Sequence, residues 1–188
     1  ELEFFARRLG ADWTSFNFIV VAGENGSQPH GVPGNRPVKD GDFVTMDFGV
    51  RCSGYCSDMT RTVAVGAPSE KQRQVYDLVL KAHLESMAAV KPGVPCEEID
   101  AVARNIITQG GYGEHFGHAL GHGVGLEIHE EPRFGMGCKT LCAPGQVVTI
   151  EPGIYLPGEF GVRIENMVLV TPEGHEDLTK STRDLLVL

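Results

Sequence analysis

The spacing of apolar residues along the chain predicts two helices between groups of short strands. Apolar side chains recur every three or four residues over 70–90 and again over 97–109, the period of an amphipathic helix. Short apolar runs bounded by turn residues predict strands, the first of them buried, at 16–23, 43–49, 55–57 and 60–65. After Gly111 the chain returns to short strands separated by Gly and Pro. This order predicts one α+β domain over residues 1–188.

Two segments are similar enough to suggest a repeated unit. Residues 39–49 read KDGDFVTMDFG and residues 143–153 read APGQVVTIEPG, and they align without a gap. In each copy one acid ends the apolar run and a second acid follows after a turn, which gives the set Asp47, Asp58, Glu151 and Glu165. Chance likeness between two strands that enter turns is one explanation. The other is a pseudo-twofold domain in which two facing hairpins each supply two carboxylates.

These acids lie in or beside apolar strands, where an unpaired carboxylate costs several kcal/mol. Ordinary ion pairs at hairpin edges could satisfy one of them, and the candidate partners are Arg51, Arg61 and Arg163. Four converging carboxylates need more positive charge than these arginines supply, whereas two divalent cations would balance them. The pattern therefore favours a metal site over ion pairs.

Four of the seven histidines lie within the glycine-rich segment HFGHALGHGVGLEIHEEP, namely His115, His118, His122 and His129. A zinc pair of the HxxxH type at 118 and 122 would leave the acids unexplained. One imidazole with four carboxylates is an oxygen-rich ligand set that suits Mn²⁺ or a similar ion better than structural zinc. No nucleophile elbow, phosphate-binding loop or dinucleotide-binding motif competes with this interpretation.

Composition narrows the range of partners. Twenty-five acidic against sixteen basic residues give a net charge of -9, which argues against nucleic acid or an anionic membrane surface as the main partner. Five cysteines without dense spacing and the lack of a recognisable signal peptide predict a reducing, cytoplasmic location. Free thiols are favoured over a zinc site built from the pairs Cys52/Cys56 and Cys138/Cys142.

Three motifs carry the ligand candidates: DFGVRCSGYCSDMTRT holds Asp47 and Asp58, GHGVGLEIHEEP holds His122, and TIEPGIYLPGEFGVRIEN holds Glu151 and Glu165. Together they resemble the pita-bread metallopeptidases, over residues 16–188. Within that group, PHG at 29–31 and the form of the last hairpin resemble the Xaa-Pro peptidases, aminopeptidase P and prolidase. The resemblance implies a creatinase/aminopeptidase-like fold with two pseudo-twofold-related halves around a central curved antiparallel sheet.

The resemblance also implies a role for each ligand. Asp58 and Glu165 would bridge two divalent metal ions, Asp47 would chelate one, and His122 with Glu151 would hold the other. Mn²⁺ is the expected ion, with Co²⁺ or Zn²⁺ as alternatives. A water activated by the two metals would attack the carbonyl of the substrate's first residue.

Catalytic roles are implied for five residues. Glu151 would carry the proton of the attacking water to the leaving nitrogen. His118 and His129 would stabilise the oxyanion and position the substrate, and His30 would contact the prolyl side. Arg163 lies two residues before Glu165, on the same strand face, and would support the ligands.

The expected function is therefore hydrolysis of the bond between an N-terminal residue and a following proline, by an Xaa-Pro dipeptidase or aminopeptidase. A methionine aminopeptidase-like enzyme and a metal-retaining peptide-binding module without catalysis are the alternatives. The resemblance further implies a homodimer and an upstream domain before residue 1. On that basis we expect the chain alone to fold and bind metal but to cleave Xaa-Pro substrates weakly.

Overall fold

A computed structural model describes residues 1–188, and it contains three α-helices and thirteen strands. The helices are α1 (Leu2–Arg8), α2 (Glu70–Ala88) and α3 (Cys96–Gln109). The strands are β1 (Trp13–Thr14), β2 (Ile19–Ala22), β3 (Phe43–Phe48), β4 (Val50–Cys52), β5 (Tyr55–Cys56), β6 (Met59–Ala64), β7 (Gly121–Gly123), β8 (Glu130–Phe134), β9 (Val147–Ile150), β10 (Gly153–Leu156), β11 (Phe160–Arg163), β12 (Asn166–Val170) and β13 (His175–Asp177).

The two halves of the chain repeat one unit, as the sequence repeat predicts. In the first half β3 pairs antiparallel with β6, and the β4–β5 hairpin lies between them in the chain. In the second half β9 pairs antiparallel with β12, and the β10–β11 hairpin takes the equivalent place. The halves meet where the amide of Glu165 donates to the carbonyl of Thr60, with an N–O distance of 3.1 Å.

The helices α2 and α3 form where the periodicity predicts them, within two residues at each end. Ser69 begins α2 with a capping box, in which its hydroxyl accepts from the Gln72 amide and the Gln72 side chain accepts from the Ser69 amide. Both helices bury their apolar stripes in one core with the second-half strands, through residues such as Val79, Ile99 and Ile150. The metal-ligand candidates therefore sit on a packed support.

The predicted buried strand at 16–23 is wrong in extent and burial. Only β2 is extended, and Val21 is its one buried residue. The reason is its place at the edge of a sheet, where it pairs with β3 alone. One of its faces borders a cavity, so Phe16 and Ile19 are apolar without being enclosed.

The cysteines form no disulfide, as the composition favours, and the group of potential metal ligands that the fold brings together contains none of them. Cys52 is exposed and Cys56 lies against the carbonyl of Leu126. The amide of Cys142 donates to the carbonyl of Val94 at 2.9 Å, next to the isolated bridge between Pro95 and Leu141. Among the helices, none has the length and apolar character needed to cross a membrane.

Candidate active site

A cavity of about 700 Å³ gathers every residue predicted to act in metal binding or catalysis. Its lining includes the five ligand candidates Asp47, Asp58, His122, Glu151 and Glu165, and the four others His30, His118, His129 and Arg163. These residues come from distant parts of the chain, and the fold brings all nine together.

The strand pattern explains why the acids converge. Asp47 is the second-last residue of β3 and Glu151 directly follows β9, so each lies at the end of the first strand of a repeated pair, β3–β6 or β9–β12. Asp58 directly precedes β6 and Glu165 directly precedes β12, so each introduces the second strand. The two halves thus supply equivalent pairs of carboxylates, which agrees with the facing-hairpin explanation of the repeat.

His122 enters the cavity from β7, between two glycines. A Cβ atom on Gly121 would lie 1.9 Å from the carbonyl oxygen of Thr149, so only glycine lets β7 approach β9 this closely. The Thr149 hydroxyl accepts from the His122 amide at 3.1 Å and donates to Glu151 Oε1 at 3.3 Å. Neighbouring strands therefore fix the imidazole and this carboxylate relative to each other.

The geometry of three residues suits a metal ion. Potential ligand atoms of Asp58, His122 and Glu165 all lie within 4.8 Å of one another. His122 Nδ1 donates to the Gly123 carbonyl at 2.9 Å, so Nε2 presents its lone pair to the cavity. That nitrogen lies 3.6 Å from Asp58 and 3.4 Å from Glu151 Oε1.

The polar atoms of the site are not satisfied by the protein alone. Three buried oxygens have no hydrogen-bond partner, namely Asp47 Oδ1, Asp58 Oδ1 and Glu165 Oε1. Because buried polar atoms are nearly always paired, three orphaned carboxylate oxygens on one cavity are what a cation site requires. The residues present therefore fit a bound divalent metal.

Ion pairs do not supply the missing charge. Arg163 reaches Asp47 with an N–O distance of 2.6 Å, and it is the one arginine that pairs with these acids. Arg61 donates instead to four main-chain carbonyls, of residues 60, 165, 181 and 182. Arg51 turns toward the carbonyl of Leu126. One guanidinium cannot balance the charge of four carboxylates, so ion pairs alone do not explain the acids in this cavity.

The pKa values of the metal-free site reflect this imbalance. Burial raises the pKa of Asp58 to about 9, with the charges of Asp47 and Glu151 adding to the effect. Burial likewise raises the pKa of Glu151 to about 8 and that of Glu165 well above its ordinary value. Burial lowers the pKa of His122 to about 4, which keeps its imidazole neutral, the form that binds metals.

The three other histidines differ in how much they are held. His30 and His129 are exposed to the cavity, and the His129 ring packs edge-on against that of His122 with centroids 4.4 Å apart. His118 is more enclosed: Nδ1 donates to the Ala119 carbonyl and Nε2 accepts from the Tyr155 hydroxyl, both at 2.8 Å. In this arrangement the Nε2 of His118 has no proton to give to an oxyanion.

Tyr155 is a site residue that sequence reasoning missed. Its hydroxyl accepts from Arg163 at 2.9 Å and donates to His118, which completes a hydrogen-bonded chain that starts at Asp47. A Cβ atom on Gly153 would lie 2.5 Å from that hydroxyl, so glycine makes room for it. Side chains alternate along β10, so position 155 lies on the same face as position 153. This alternation is the sequence feature from which a role for Tyr155 could have been predicted.

A cavity lined by buried carboxylates and histidines that fit a divalent cation is typical of a metal-dependent protein. The sequence of the chain agrees with this class. Residues 1–172 match the sequence profile of metallopeptidase family M24. The chain belongs to this family, whose description as metallopeptidases implies the use of a divalent metal.

Solved and curated relatives support the assignment and the pita-bread fold. An Xaa-Pro dipeptidase from Bacillus anthracis superimposes with a TM-score of 0.98 at 51% identity, covering 100% of this chain and 53% of that one. A prolidase from Thermococcus sibiricus gives a TM-score of 0.98 at 46% identity, covering 100% and 51%. An Xaa-Pro dipeptidase from Pyrococcus horikoshii is 45% identical over 186 residues, 99% of this chain and 53% of the relative. The chain thus spans about half the length of these relatives.

Metal should stabilise the protein more as the pH rises. The pKa of Asp58 is raised to about 9 and that of Glu151 to about 8 in the metal-free fold, whereas both lie at about 4 in the unfolded chain. Between these values the folded state binds more protons, so the free energy of unfolding of the metal-free protein falls as the pH rises. A cation needs the deprotonated ligands, so the Mn²⁺-induced rise in Tm should grow from about pH 5 to about pH 8.

Thermal unfolding with a chelator and with Mn²⁺ across that pH range measures this effect. The variant Asp58→Asn is the matched control, since it removes one titrating ligand and should flatten the pH dependence. A metal-induced shift in Tm that is equal at both ends of the range would contradict the assignment of these carboxylates as ligands.

Proposed function

We propose that the protein is a dinuclear metal-dependent exopeptidase that hydrolyses the bond between an N-terminal residue and a following proline. The observation that carries the proposal is the convergence of five ligand candidates, with three orphaned buried oxygens, on one cavity. Asp47, Asp58, His122, Glu151 and Glu165 would hold the metals, and Mn²⁺ suits this oxygen-rich set. When bound, two divalent cations would polarise the scissile carbonyl and lower the pKa of an attacking water. The preference for proline is supported by the names of the relatives, which are Xaa-Pro dipeptidases and prolidases.

The protein's own side chains would share the remaining tasks. Glu151, whose pKa burial raises to about 8, would accept a proton from the attacking water and pass it to the prolyl nitrogen. His129 is exposed to the cavity and would donate to the developing oxyanion. Both ring nitrogens of His118 are engaged, so this residue would orient the substrate through contact with its fixed ring and would not donate to the oxyanion. His30 would contact the prolyl side, and Arg163 would hold Asp47 in place.

Incubating the Mn²⁺-loaded protein with Xaa-Pro and with Met-Ala peptides tests the function directly. We expect release of the residue that precedes proline. Release of methionine alone would instead identify a methionine aminopeptidase-like enzyme. Bound metal and bound peptide without cleavage of either substrate would identify a peptide-binding module.

The positively charged side chain of Arg133 at the cavity indicates a preference for dipeptides over longer substrates. Arg133 on β8 is exposed, lines the cavity and forms no ion pair, whereas the guanidinium of Arg163 is fully engaged. A free guanidinium suits the terminal carboxylate of a dipeptide. Arg133→Met should raise the KM of an Xaa-Pro dipeptide about tenfold and leave that of the Xaa-Pro amide unchanged. Lys139→Met, at an exposed site outside the cavity, is the control, and equal effects on dipeptide and amide would argue against this role.

A further inference from the structure

A partly buried ion pair on α3 lies directly behind the part of the cavity wall that carries His118. Arg104 Nε donates to Asp100 Oδ2 and Arg104 Nη2 to Asp100 Oδ1, both at 2.8 Å. The Asp100 side chain is 1% exposed. Neither residue lines the cavity, so the pair does not belong to the site itself.

The remaining donors and acceptors of this pair are directed at the loop between α3 and β7. Arg104 Nη1 donates to the carbonyl of Phe116 at 3.0 Å, and Nη2 donates to the carbonyl of His118 at 2.9 Å. Asp100 Oδ1 accepts from the amide of Leu120 at 3.0 Å. The guanidinium also lies over the Phe116 ring, 4.4 Å from its centroid. Residues 116–120 belong to no strand, so no neighbouring strand satisfies their main-chain polar groups. The ion pair supplies hydrogen bonds to these groups instead.

These contacts bracket one side chain. The main chain is held before His118, at His118 and after it, while the imidazole is held between the Ala119 carbonyl and the Tyr155 hydroxyl. Tyr155 is in turn fixed by Arg163. The ring orientation therefore depends on the hydrogen bonds of its own two nitrogens and on the ion pair that holds the main chain behind it.

We propose that Asp100 and Arg104 are positioning residues that fix His118 in the cavity, and this inference rests on the proposed function. Small displacements of a substrate-orienting group have large effects on rate, since catalysis depends on near-attack geometry. The pair acts through the main chain of residues 116–120 and touches neither substrate nor metal.

A double-mutant cycle separates positioning from general support of the fold. Arg104→Lys keeps a positive charge beside Asp100, but a single ammonium lacks the planar fork that reaches both carbonyls. We expect Arg104→Lys to lower kcat for Xaa-Pro hydrolysis about tenfold with the metal content unchanged. In a His118→Ala background the same substitution should have almost no further effect on kcat. Independent, multiplying effects of the two substitutions, or an unchanged kcat in Arg104→Lys, would overturn the proposal.

Val79→Ala is the matched control for lost stability, because it removes buried contacts on α2 away from the loop. It should lower Tm and leave kcat unchanged.

A second readout does not need the activity. Imidazole ¹⁵N spectra should report the His118 tautomer with its proton on Nδ1, and Arg104→Lys should shift or broaden that signal. The buried His83, whose Nδ1 lies 3.1 Å from the Ile150 carbonyl, should stay unchanged as an internal reference. An unaltered His118 signal would reject the positioning role, whereas an inactive wild-type protein with a perturbed His118 signal would reject only the proposed function.

Discussion

Replacing Glu165 by alanine is expected to release at least one of two divalent cations and to lower kcat/KM for an Xaa-Pro peptide by on the order of 10³-fold or more. Glu165 is 1% exposed, its Oε2 accepts from the Thr60 hydroxyl at 2.6 Å, and its Oε1 has no partner. Its ligand atom also belongs to the trio formed with Asp58 and His122. Removing it takes away a negative charge from the centre of the cluster, where no neighbouring carboxylate replaces it.

Metal content after loading with Mn²⁺ or Co²⁺, measured by elemental analysis beside the kinetics, provides the check. Wild-type protein should hold close to two ions per chain. Glu159→Ala is the matched control, since Glu159 is an exposed acid between β10 and β11 that pairs only with Lys71. One zinc ion bound through cysteine and unaffected by Glu165→Ala would end the dinuclear proposal.

Burial of charge explains why the sequence alone could pick out residues that the fold brings to one cavity. Acids that end apolar runs, such as Asp47 and Glu151, are costly in a protein interior unless something binds them, so their positions alone indicate a ligand. The helices α2 and α3 could also be predicted from the sequence, because their apolar residues keep a regular period over several turns. Each of these features can be recognised within one short stretch of sequence, without knowledge of which other segments it contacts.

Features that depend on long-range pairing could not be predicted in this way. Tyr155 joins His118 to Arg163 only because a hairpin is folded against a distant loop. Asp100 and Arg104 have the spacing of an ordinary exposed i,i+4 helix pair, and nothing local indicates that the carboxylate is buried beneath the His118 loop. The prediction of a buried strand at 16–23 was wrong for the same reason. Its place at a sheet edge is set by its partner strand and not by its own residues.

The neighbouring histidines 122 and 129 should respond differently to removal. Their rings are 4.4 Å apart, but only His122 directs a nitrogen at the carboxylates, with Nε2 within 3.6 Å of Asp58. The other nitrogen of His122 is committed to the Gly123 carbonyl, which fixes the ring for metal binding. His129 is exposed to the cavity and pairs with no carboxylate, so its ring nitrogens are available to a substrate.

His122→Ala is therefore expected to lose metal and activity together. His129→Ala should keep both metals while kcat falls on the order of 10²-fold or more, because an oxyanion donor acts mainly in the transition state. His175→Ala, on β13 and outside the cavity, should change neither quantity. Metal analysis and kcat measured on the three variants decide the assignment. Equal metal loss in His122→Ala and His129→Ala would show that the ligand and the oxyanion donor have been assigned wrongly, because a donor that never contacts the metals leaves their affinity intact when it is removed.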